Sequence, residues 1–360
     1  MVTLLECIER IPSVLEGILQ NRKENMAPFF EYLGERVKDI NELVFVGSGT
    51  SNTSAITSSI FVEKVSGVRT KVCYPNDFAY NTGCYNPDAL YIFTSQTGTS
   101  IVTREAQKLV QEKGFLSVSI TESAATPLAS ESSSHIDMGC GCEEYPMRTI
   151  GYTASVFTHM LLALEIGQKR GAVTPGGYGD YIAHAAKVPG SHREITAKTQ
   201  EWFVKSKRQM LRSDCIIFTG AGSLYGVSLE GAVKVWEIPQ IASIGYELEE
   251  GLHGPNYGYN SRHCVIVLND GGREKDKALA LAGYMKDVWN NGLMAGAPVL
   301  DDNDLELELR GGDFSCLELS AVPQVVAYRL AADGGRDLLA PHDNSRMEKY
   351  FITHKSITIG

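Results

Sequence analysis

The sequence of 360 residues lacks the features that mark a membrane protein, a secreted protein or a nucleic-acid-binding protein. No run approaches the ~18 consecutive apolar residues of a membrane span, and the N-terminus carries acidic residues where a signal peptide needs basic ones. The 33 basic residues are outnumbered by 43 acidic ones, which disfavours nucleic acid because a phosphate backbone selects a basic protein face. We therefore expect a cytoplasmic protein that binds neither a membrane nor a nucleic acid.

Metal-binding and nucleotide-binding motifs are also missing. The eight cysteines are scattered, and only Cys140 and Cys142 lie close together, whereas a structural zinc site usually has two close cysteine pairs or accompanying histidines. No P-loop pattern occurs, and the Gly-x-Gly segments at 47–49 and 220–222 lack the third glycine of a dinucleotide-binding loop. We expect reduced, mostly buried thiols, no metal and no cofactor.

The chain does contain an internal repeat. Residues 44–50 (VFVGSGT) and 217–223 (IFTGAGS) are both short apolar runs that end in Gly-x-Gly and a hydroxyl residue, 173 positions apart. Further apolar runs at 89–94, 115–120 and 265–268 are typical of strands covered on both faces, and helical stretches such as 100–112 and 278–290 alternate with them. This alternation predicts an α/β fold with two tandem domains, each a doubly wound parallel sheet flanked by helices.

The same pass along the sequence predicts the domain boundaries. Residues 1–35 form an N-terminal helical segment, 36–165 the first domain and 206–335 the second. The stretch 166–205, with a Gly/Pro/Tyr loop at 171–178, is the predicted connector. The last residues, 336–360, are polar and irregular.

Two hydroxyl-rich loops follow predicted strands, at 47–51 (GSGTS) and 95–100 (SQTGTS). Open α/β sheets bind ligands at the carboxyl ends of their strands. Glycines let the backbone approach a ligand closely, while hydroxyls and helix N–H groups supply neutral donors to a dianion. Serine and threonine could instead simply cap the two helices. Two such loops in one unit favour a binding site for a phosphate monoester.

Three further segments accompany these loops: the helix at 229–238 (LEGAVKVWEI), the turn at 250–255 (EGLHGP) and the ending at 353–358 (THKSIT). Together with the loops, they resemble the sugar isomerase (SIS) family. Within it, the sequence is most similar to the isomerase half of glutamine–fructose-6-phosphate aminotransferase. The resemblance covers essentially the whole chain. It implies two SIS domains, a sugar-phosphate site in the first domain that the C-terminal tail closes, and a homodimer with a shared active site.

The resemblance also implies residue roles. The phosphate would be held by Ser51, Ser95, Gln96, Thr97 and Ser100, and Thr50 would face the sugar. Glu237 would be the proton-transfer carboxylate, His253 the ring-opening histidine given by the neighbouring subunit, Lys355 the imine-forming lysine and Lys234 a second lysine near the site.

An aldose–ketose exchange requires these residue types independently of the resemblance. A carboxylate can move a proton between C1 and C2, an imidazole can open the ring at neutral pH, and an amine of lowered pKa can form a Schiff base. Glu230, Lys234 and Glu237 share one helix face by their spacing. The alternatives are that Glu230 and Lys234 form an exposed ion pair and that His253 is only a turn residue.

Four departures from the aminotransferase pattern bear on the substrate. The chain enters the isomerase region at once, so we expect no glutaminase domain and no ammonia from glutamine. Thr99 stands where the family has glutamate, and Leu252 replaces a lysine. Arg148 stands where the family has a sugar-contacting serine, and a guanidinium there could contact an acidic group of a different substrate or face solvent. Arg148 and Thr149 are therefore candidate substrate contacts.

The sequence thus predicts an enzyme that acts on a phosphorylated keto or amino sugar through proton transfer between C1 and C2 and imine chemistry. It leaves open a stand-alone aminosugar-phosphate isomerase or deaminase and a fructosamine-6-phosphate deglycase, which releases an amino acid. The alternative from another class is a non-catalytic sugar-phosphate sensor built of SIS domains.

Overall fold

A computed structural model describes residues 2–340 and 345–355 of the chain. The described residues divide into two compact units, each built on one five-stranded parallel sheet. We call residues 16–180 with 345–355 the first-sheet unit, and residues 2–15 with 181–340 the second-sheet unit. The predicted α/β fold with parallel sheets flanked by helices is confirmed. The chain passes between the units at 180–181, inside the predicted connector 166–205.

In the first sheet, the second strand of the sequence is added on one side of the first strand, and the third strand is added on the other side. The strand order therefore reverses between the first and third strands. In spatial order they are β2 (Arg69–Cys73), β1 (Glu42–Val46), β3 (Ala89–Thr94), β4 (Leu116–Thr121) and β5 (His135–Asp137). All neighbours pair in parallel, with Val46 opposite Phe93 at the carboxyl ends of β1 and β3. The gap between these two strand ends is the point where α/β sheets of this type bind ligands.

The second sheet repeats this order. In spatial order its strands are β7 (Ala242–Glu247), β6 (Cys215–Gly220), β8 (His263–Asn269), β9 (Gly292–Gly296) and β10 (Leu305–Glu306), again all parallel. Strand by strand, β6–β10 occupy the places that β1–β5 occupy in the first sheet. The internal repeat seen in the sequence is therefore a repeat of topology.

Helices connect the strands and cover the sheets. In the first-sheet unit they are α2 (Thr50–Ser66), α3 (Ile101–Glu112), α4 (Pro127–Ser130) and α5 (Ile150–Arg170). In the second-sheet unit they are α7 (Val188–Leu211), α8 (Ser223–Glu237), α9 (Lys275–Trp289), α10 (Ser315–Leu319) and α11 (Ala321–Asp333). The helices α1 (Leu4–Leu33) and α6 (Pro175–Ala185) each contribute residues to both units.

Each unit has its own apolar core. Val44, Tyr91 and Phe93 of the first sheet pack with α3, through Ala106 and Val110. The matching cluster in the second-sheet unit joins strand residues to α9 and contains Ile217, Val265, Val267, Leu281 and Met285. The central strands β1, β3, β6 and β8 are buried on both faces, which is why they are continuous apolar runs in the sequence.

Helix α5 is long and apolar enough, by length and composition, to cross a membrane. Its apolar window is wholly buried within the protein. It packs against α2, where Thr57 Oγ1 lies 2.7 Å from the hydroxyl of Tyr152. This burial is typical of the core helix of a globular domain.

Most predicted elements are confirmed with boundary shifts of a few residues, including the N-terminal helix, the strands at 89–94, 115–120 and 265–268, and the helices near 100–112 and 278–290. The loop predicted at 171–178 is partly wrong. Residues 171–174 lie between helices, but Pro175 begins α6, because proline suits the first turn of a helix. The eight cysteines are all free thiols.

Candidate functional site

The turn after β1 is shaped by two glycines. Gly49 has φ 54° and ψ −126°, a conformation that side-chain-bearing residues rarely adopt, and it starts α2. A side chain at Gly47 would meet Ser51 Cβ at 2.8 Å and the carbonyl oxygen of Thr94, on the neighbouring strand, at 3.1 Å. The helix and both strand ends can therefore approach closely only with glycine at this position. Thr50 and Ser51 open α2 at this edge, each half-buried.

The loop after β3 is a tight turn between β3 and α3. The N–H of Gly98 donates to the carbonyl oxygen of Ser95 over 3.0 Å, and Gly98 has φ 64°. A Cβ on Gly98 would meet Thr126 at 2.7 Å, so the loop after β4 supports this turn directly. The hydroxyls of Thr97 and Thr99 are 2.8 Å apart, and Ser100 Oγ lies 2.9 Å from Thr103 Oγ1. The structure thus brings both predicted phosphate loops to the ends of the paired strands β1 and β3.

Gln96 is the one predicted phosphate ligand whose side chain is held by an acidic group. Its Nε2 lies 3.5 Å from a carboxylate oxygen of Glu143. The N–H of Glu122 donates to the carbonyl oxygen of Gln96 over 2.9 Å. A Cβ on Gly151 would lie 1.8 Å from Gln96 Oε1, so a larger residue there would have to displace the Gln96 amide.

Sequence reasoning missed both of these glutamates. Glu122 follows β4, and Glu143 precedes α5, so no local pattern connects either to the loop at 95–100. Glu143 is buried and accepts the N–H groups of Thr149, Ile150 and Gly151 at 2.7–3.0 Å, which caps the N-terminus of α5. The one available signal was the glutamate seven residues before the helix start, a position from which a carboxylate can fold back onto helix N–H groups.

The two other predicted substrate contacts take part in this same segment. Thr149 donates its hydroxyl to Glu143 over 3.0 Å and is fully buried. Arg148 Nη1 donates to the carbonyl oxygen of Glu143 and lies 3.4 Å from that of Tyr145. The structure therefore places both residues beside Gln96, and their contact with a substrate stays a prediction.

The C-terminal segment pairs with the loop after β3. The N–H of Lys355 donates to the carbonyl oxygen of Thr99 over 2.9 Å, and that of Ile101 donates to Thr353 over 3.2 Å, with Ser100 opposite His354. The Lys355 side chain lines a cleft of about 590 Å³ beside α3, with Arg104, Lys108 and Glu131. The rest of the predicted Lys-Ser-Ile-Thr ending, from Ser356 on, lies outside the described residues, as does part of the predicted tail 336–360 at 341–344.

Helix α8, in the second-sheet unit, holds a buried charge cluster. Lys234 Nζ lies 3.3 Å from Glu230 and 2.5 Å from Glu237. The Lys234 and Glu230 side chains are 1% and 2% exposed, whereas that of Glu237 is 40% exposed. The alternative that Glu230 and Lys234 form an exposed surface pair is therefore wrong. Burial opposes the charge of Lys234, but the two carboxylates outweigh it, so the pKa of this amine is raised and it stays protonated.

His253 lies on a well-exposed turn of the same unit, between the short helical segments Glu250–Leu252 and Pro255–Gly258. Its Nε2 is 2.9 Å from Glu249 Oε1, and its side chain is 66% exposed. Lys277, and after it His253, hold the pKa of the Glu249 carboxyl below its usual range. The imidazole thus has a carboxylate partner on one nitrogen and access to solvent.

Comparison with known proteins agrees with this arrangement. Residues 37–165, which carry the first sheet and both hydroxyl-rich loops, match the SIS domain family. These residues form a SIS domain. The rest of the chain is assigned by similarity to individual proteins.

The most informative relative is the isomerizing glutamine–fructose-6-phosphate aminotransferase of Gloeobacter violaceus, which is 26% identical over 351 residues. The match covers 94% of this chain and 57% of that protein, so the chain spans little more than half the length of this relative. A match of this length includes both five-stranded sheets.

Solved structures show the same fold. A candidate phosphosugar isomerase of Clostridium difficile 630 has a TM-score of 0.87 and 21% identity, with 99% of this chain and all of that chain covered. The C-terminal domain of glucosamine-fructose-6-phosphate aminotransferase from Francisella tularensis has a TM-score of 0.84 and 21% identity, covering 93% and 96%. The chain therefore shares the fold of these structures, and its residues 37–165 match the SIS domain family.

Among residues 2–340 and 345–355, no group of three or more His, Cys, Asp or Glu side chains could hold a metal ion. The polar groups gathered at the SIS-domain loops are hydroxyls and amides, which suit an oxyanion better than a cation. A metal-free reaction stays a prediction.

Proposed function

We propose that the protein is a phosphosugar-converting enzyme that acts on a phosphorylated keto or amino sugar, as an aminosugar-phosphate isomerase or deaminase or as a fructosamine-6-phosphate deglycase. The second-sheet unit is then a second SIS domain, and the active enzyme is a cytoplasmic homodimer. The observation that carries this proposal is the meeting of two hydroxyl-rich loops at the reversal point of the first sheet, where Gly47 and Gly98 allow close packing of the backbone and Gly49 has open space beside it.

The phosphate would bind to the hydroxyls of Ser51, Ser95, Thr97 and Ser100, with Thr50 facing the sugar. Neutral donors suit this task because a phosphate monoester brings its own two negative charges. Gln96 completes the loop, although the contact of its amide with Glu143 supports a role in shaping the loop as much as in binding.

Glu237 would move the proton between C1 and C2 of the open-chain sugar. Its carboxylate is the exposed end of the α8 charge cluster, and Lys234 behind it supplies a fixed positive charge. Because Lys234 stays protonated, we propose that it orients Glu237 and does not act as an amine nucleophile. Lys355 is the better candidate for the imine, since it is exposed and follows the segment that pairs with the phosphate loop.

His253 would open the sugar ring in the site of a neighbouring subunit. Its exposed position on a turn supports a role outside its own core. A subunit-mixing experiment tests this. If Glu237 and His253 of different subunits share one site, a mixture of inactive Glu237→Gln and His253→Gln dimers should recover about a quarter of wild-type activity, because half of the dimers are mixed and each mixed dimer has one intact site. No recovery after verified subunit exchange would place the two residues in one subunit or in different sites.

The reaction itself is tested by a release assay. The protein is incubated with glucosamine 6-phosphate, with fructose 6-phosphate plus ammonia, and with fructosyl-amino-acid 6-phosphates, and ammonia, free amino acid and ketose–aldose exchange are measured. Amino-acid release supports a deglycase, and ammonia release or uptake supports a deaminase or aminating isomerase. Binding of these compounds in a thermal-shift assay without any turnover would contradict the enzyme proposal and favour a sugar-phosphate sensor.

A further inference from the structure

One buried side chain contacts three of the four elements that the two hydroxyl-rich loops connect. His159 lies on α5 and is fully buried. Its Nε2 lies 2.9 Å from Thr94 Oγ1 on β3, and its Nδ1 lies 3.4 Å from Ser58 Oγ on α2. The imidazole also packs against the ring of Phe45 on β1, with 4.8 Å between the ring centroids. His159 therefore joins α5 to β3, α2 and β1.

These contacts lie close to the two loops. Phe45 is two residues before the loop at 47–51, and Thr94 is directly before the loop at 95–100. Helix α2 begins within the first of these loops. A Cβ on Gly47 would lie 3.1 Å from the carbonyl oxygen of Thr94, so the two loops approach each other closely at this point. A shift of the end of β3 relative to β1 or α2 would therefore change the spacing between the hydroxyls of the two loops.

The hydrogen bonds of His159 have a defined direction. Ser58 Oγ donates its one hydrogen to the carbonyl oxygen of Ala55 over 3.2 Å, so it accepts from His159 Nδ1. The other ring nitrogen, Nε2, then accepts the hydrogen of the Thr94 hydroxyl. Because the imidazole is fully buried, loss of either partner would leave a polar atom unpaired in the core.

We propose that His159 is a positioning residue that holds the end of β3 against α2 and β1, and so fixes the spacing of the two hydroxyl-rich loops for a phosphorylated sugar. The inference rests on the proposed phosphate role of these loops. His159 acts through the Thr94 hydroxyl, without touching the ligand. A histidine that only fills the core would stabilise the fold without changing the affinity for a sugar phosphate, and this difference can be measured.

A double-mutant cycle tests the proposal. Dissociation constants for fructose 6-phosphate and glucosamine 6-phosphate are measured by calorimetry in the wild type, His159→Leu, Thr94→Val and the double variant, and urea unfolding reports the stability of each. We expect each single substitution to weaken both ligands by about tenfold, because the end of β3 loses its buried hydrogen bond. The double variant should bind about as weakly as His159→Leu, whereas independent effects would multiply to about a hundredfold.

Two further variants separate positioning from a loss of core packing. His159→Gln carries an amide oxygen that can accept the Thr94 hydroxyl in place of Nε2, so it should bind within about threefold of the wild type. Thr57→Val is the matched control, because it removes a buried hydrogen bond to Tyr152, of 2.7 Å, that joins α2 and α5 but no strand. It should lower the free energy of unfolding and leave both affinities within about threefold of the wild type.

The proposal is overturned if Thr94→Val and Thr57→Val change the affinities equally, or if the effects of His159→Leu and Thr94→Val multiply. It is also overturned if His159→Gln binds as weakly as His159→Leu. If His159→Leu fails to fold, the decision comes from Thr94→Val and Thr94→Ser, of which only the second keeps the hydroxyl. Equal affinities of these two variants would contradict the proposal.

Failure of the proposed function looks different. If the wild type binds neither sugar phosphate, or if Thr97→Val leaves both affinities unchanged, the loop at 95–100 is not the phosphate site and the inference fails with it. If the wild type binds and Thr97→Val weakens both ligands, but Thr94→Val does not, the inference alone is overturned.

Discussion

The two sheets have the same strand order and begin with the same turn, yet their ligand edges differ in chemistry. Gly49 and Gly222 have nearly identical backbone angles, φ 54° and ψ −126° against φ 61° and ψ −129°, and each starts the helix that follows. Beyond this turn the first sheet continues with Thr50 and Ser51, and the second with Ser223 and Leu224. The shared scaffold fixes the turn, and the side chains decide what can bind there.

The second loop of each sheet shows the same contrast. The loop after β3 is made of hydroxyl residues and Gln96, whereas the loop after β8 contains Asp270 and Glu274. Asp270 accepts the N–H of Gly272 over 3.0 Å, and Glu274 pairs with Lys277 at 2.9 Å. The loop after β8 therefore presents charged side chains at the edge where the loop after β3 presents neutral hydroxyls.

The helices α2 and α8 differ in the charge of the residues that they bury. With the repeat spacing of the sequence, Glu230 and Lys234 of α8 correspond to Thr57 and Phe61 of α2, which are buried in the core beside α5. Thus the first-sheet unit has neutral side chains at the two helix positions where the second-sheet unit has the buried Glu230 and Lys234. We infer that one scaffold has specialised twice, for binding and for proton transfer.

The largest effect that separates these roles should come from Glu237→Gln. Loss of a general base typically lowers turnover by about 10²–10⁴-fold, and we expect this loss in kcat with little change in sugar-phosphate affinity, because the proposed phosphate donors lie on the other unit. The measurement is kcat and dissociation constant on the best substrate of the release assay, with the exposed Glu201→Gln on α7 as matched control. Equal losses in affinity and in kcat would contradict the division of labour.

The next effect concerns the α8 charge cluster. Lys234→Met should lower the free energy of unfolding by about 3–5 kcal/mol, because it leaves the buried Glu230 carboxylate uncompensated. Adding Glu230→Gln should restore much of this loss. Because folding raises the pKa of Lys234 above its ordinary 10.5, this contribution is fully present at neutral pH and is lost only as the pH rises through the folded-state value. Urea unfolding of the two variants at pH 7.5 is the test, and equal stabilities would mean that the pair is not coupled.

The glycine turns allow a matched comparison of the two sheets. Gly49→Ala and Gly222→Ala each force a side-chain-bearing residue into positive φ, so each should lower the free energy of unfolding by about 1–3 kcal/mol. Only Gly49→Ala should also weaken sugar-phosphate binding. If Gly222→Ala weakened binding as strongly when the variant is fully folded, the second sheet would contribute to the phosphate site after all.

The smallest effect is a pH dependence of stability that one buried histidine in each unit should contribute equally. His159 in the first-sheet unit and His192 in the second are both fully buried, and burial lowers the pKa of each to about 3. Below pH 6.5 the unfolded chain binds these protons and the folded chain does not, so stability falls with falling pH, by about 1.4 kcal/mol per pH unit for each histidine. His159→Gln or His192→Gln should each reduce this slope by the same amount when the free energy of unfolding is measured between pH 6.5 and 5.

Much of the fold could be predicted from local sequence patterns. The strands at 89–94 and 265–268 are recognisable because each is short, apolar and followed by a turn, and the repeated Gly-x-Gly marks where each sheet begins. The start of α6 at Pro175 was missed, because the neighbouring glycines and tyrosine are as typical of a loop as of a helix start. The hydroxyl loops were also evident, since a parallel sheet brings the carboxyl ends of adjacent strands to one edge.

By itself, then, the sequence determined the parallel α/β architecture, the two glycine turns and the hydroxyl composition of the loops that the turns present. Only the tertiary structure decided that Lys234 is buried between two carboxylates, that Gln96 contacts Glu122 and Glu143, and that residues 353–355 pair with residues 99–101. The physical reason is that helical spacing fixes which residues share a face but not whether that face is buried. Contacts between segments tens of residues apart arise from packing, which no local pattern records.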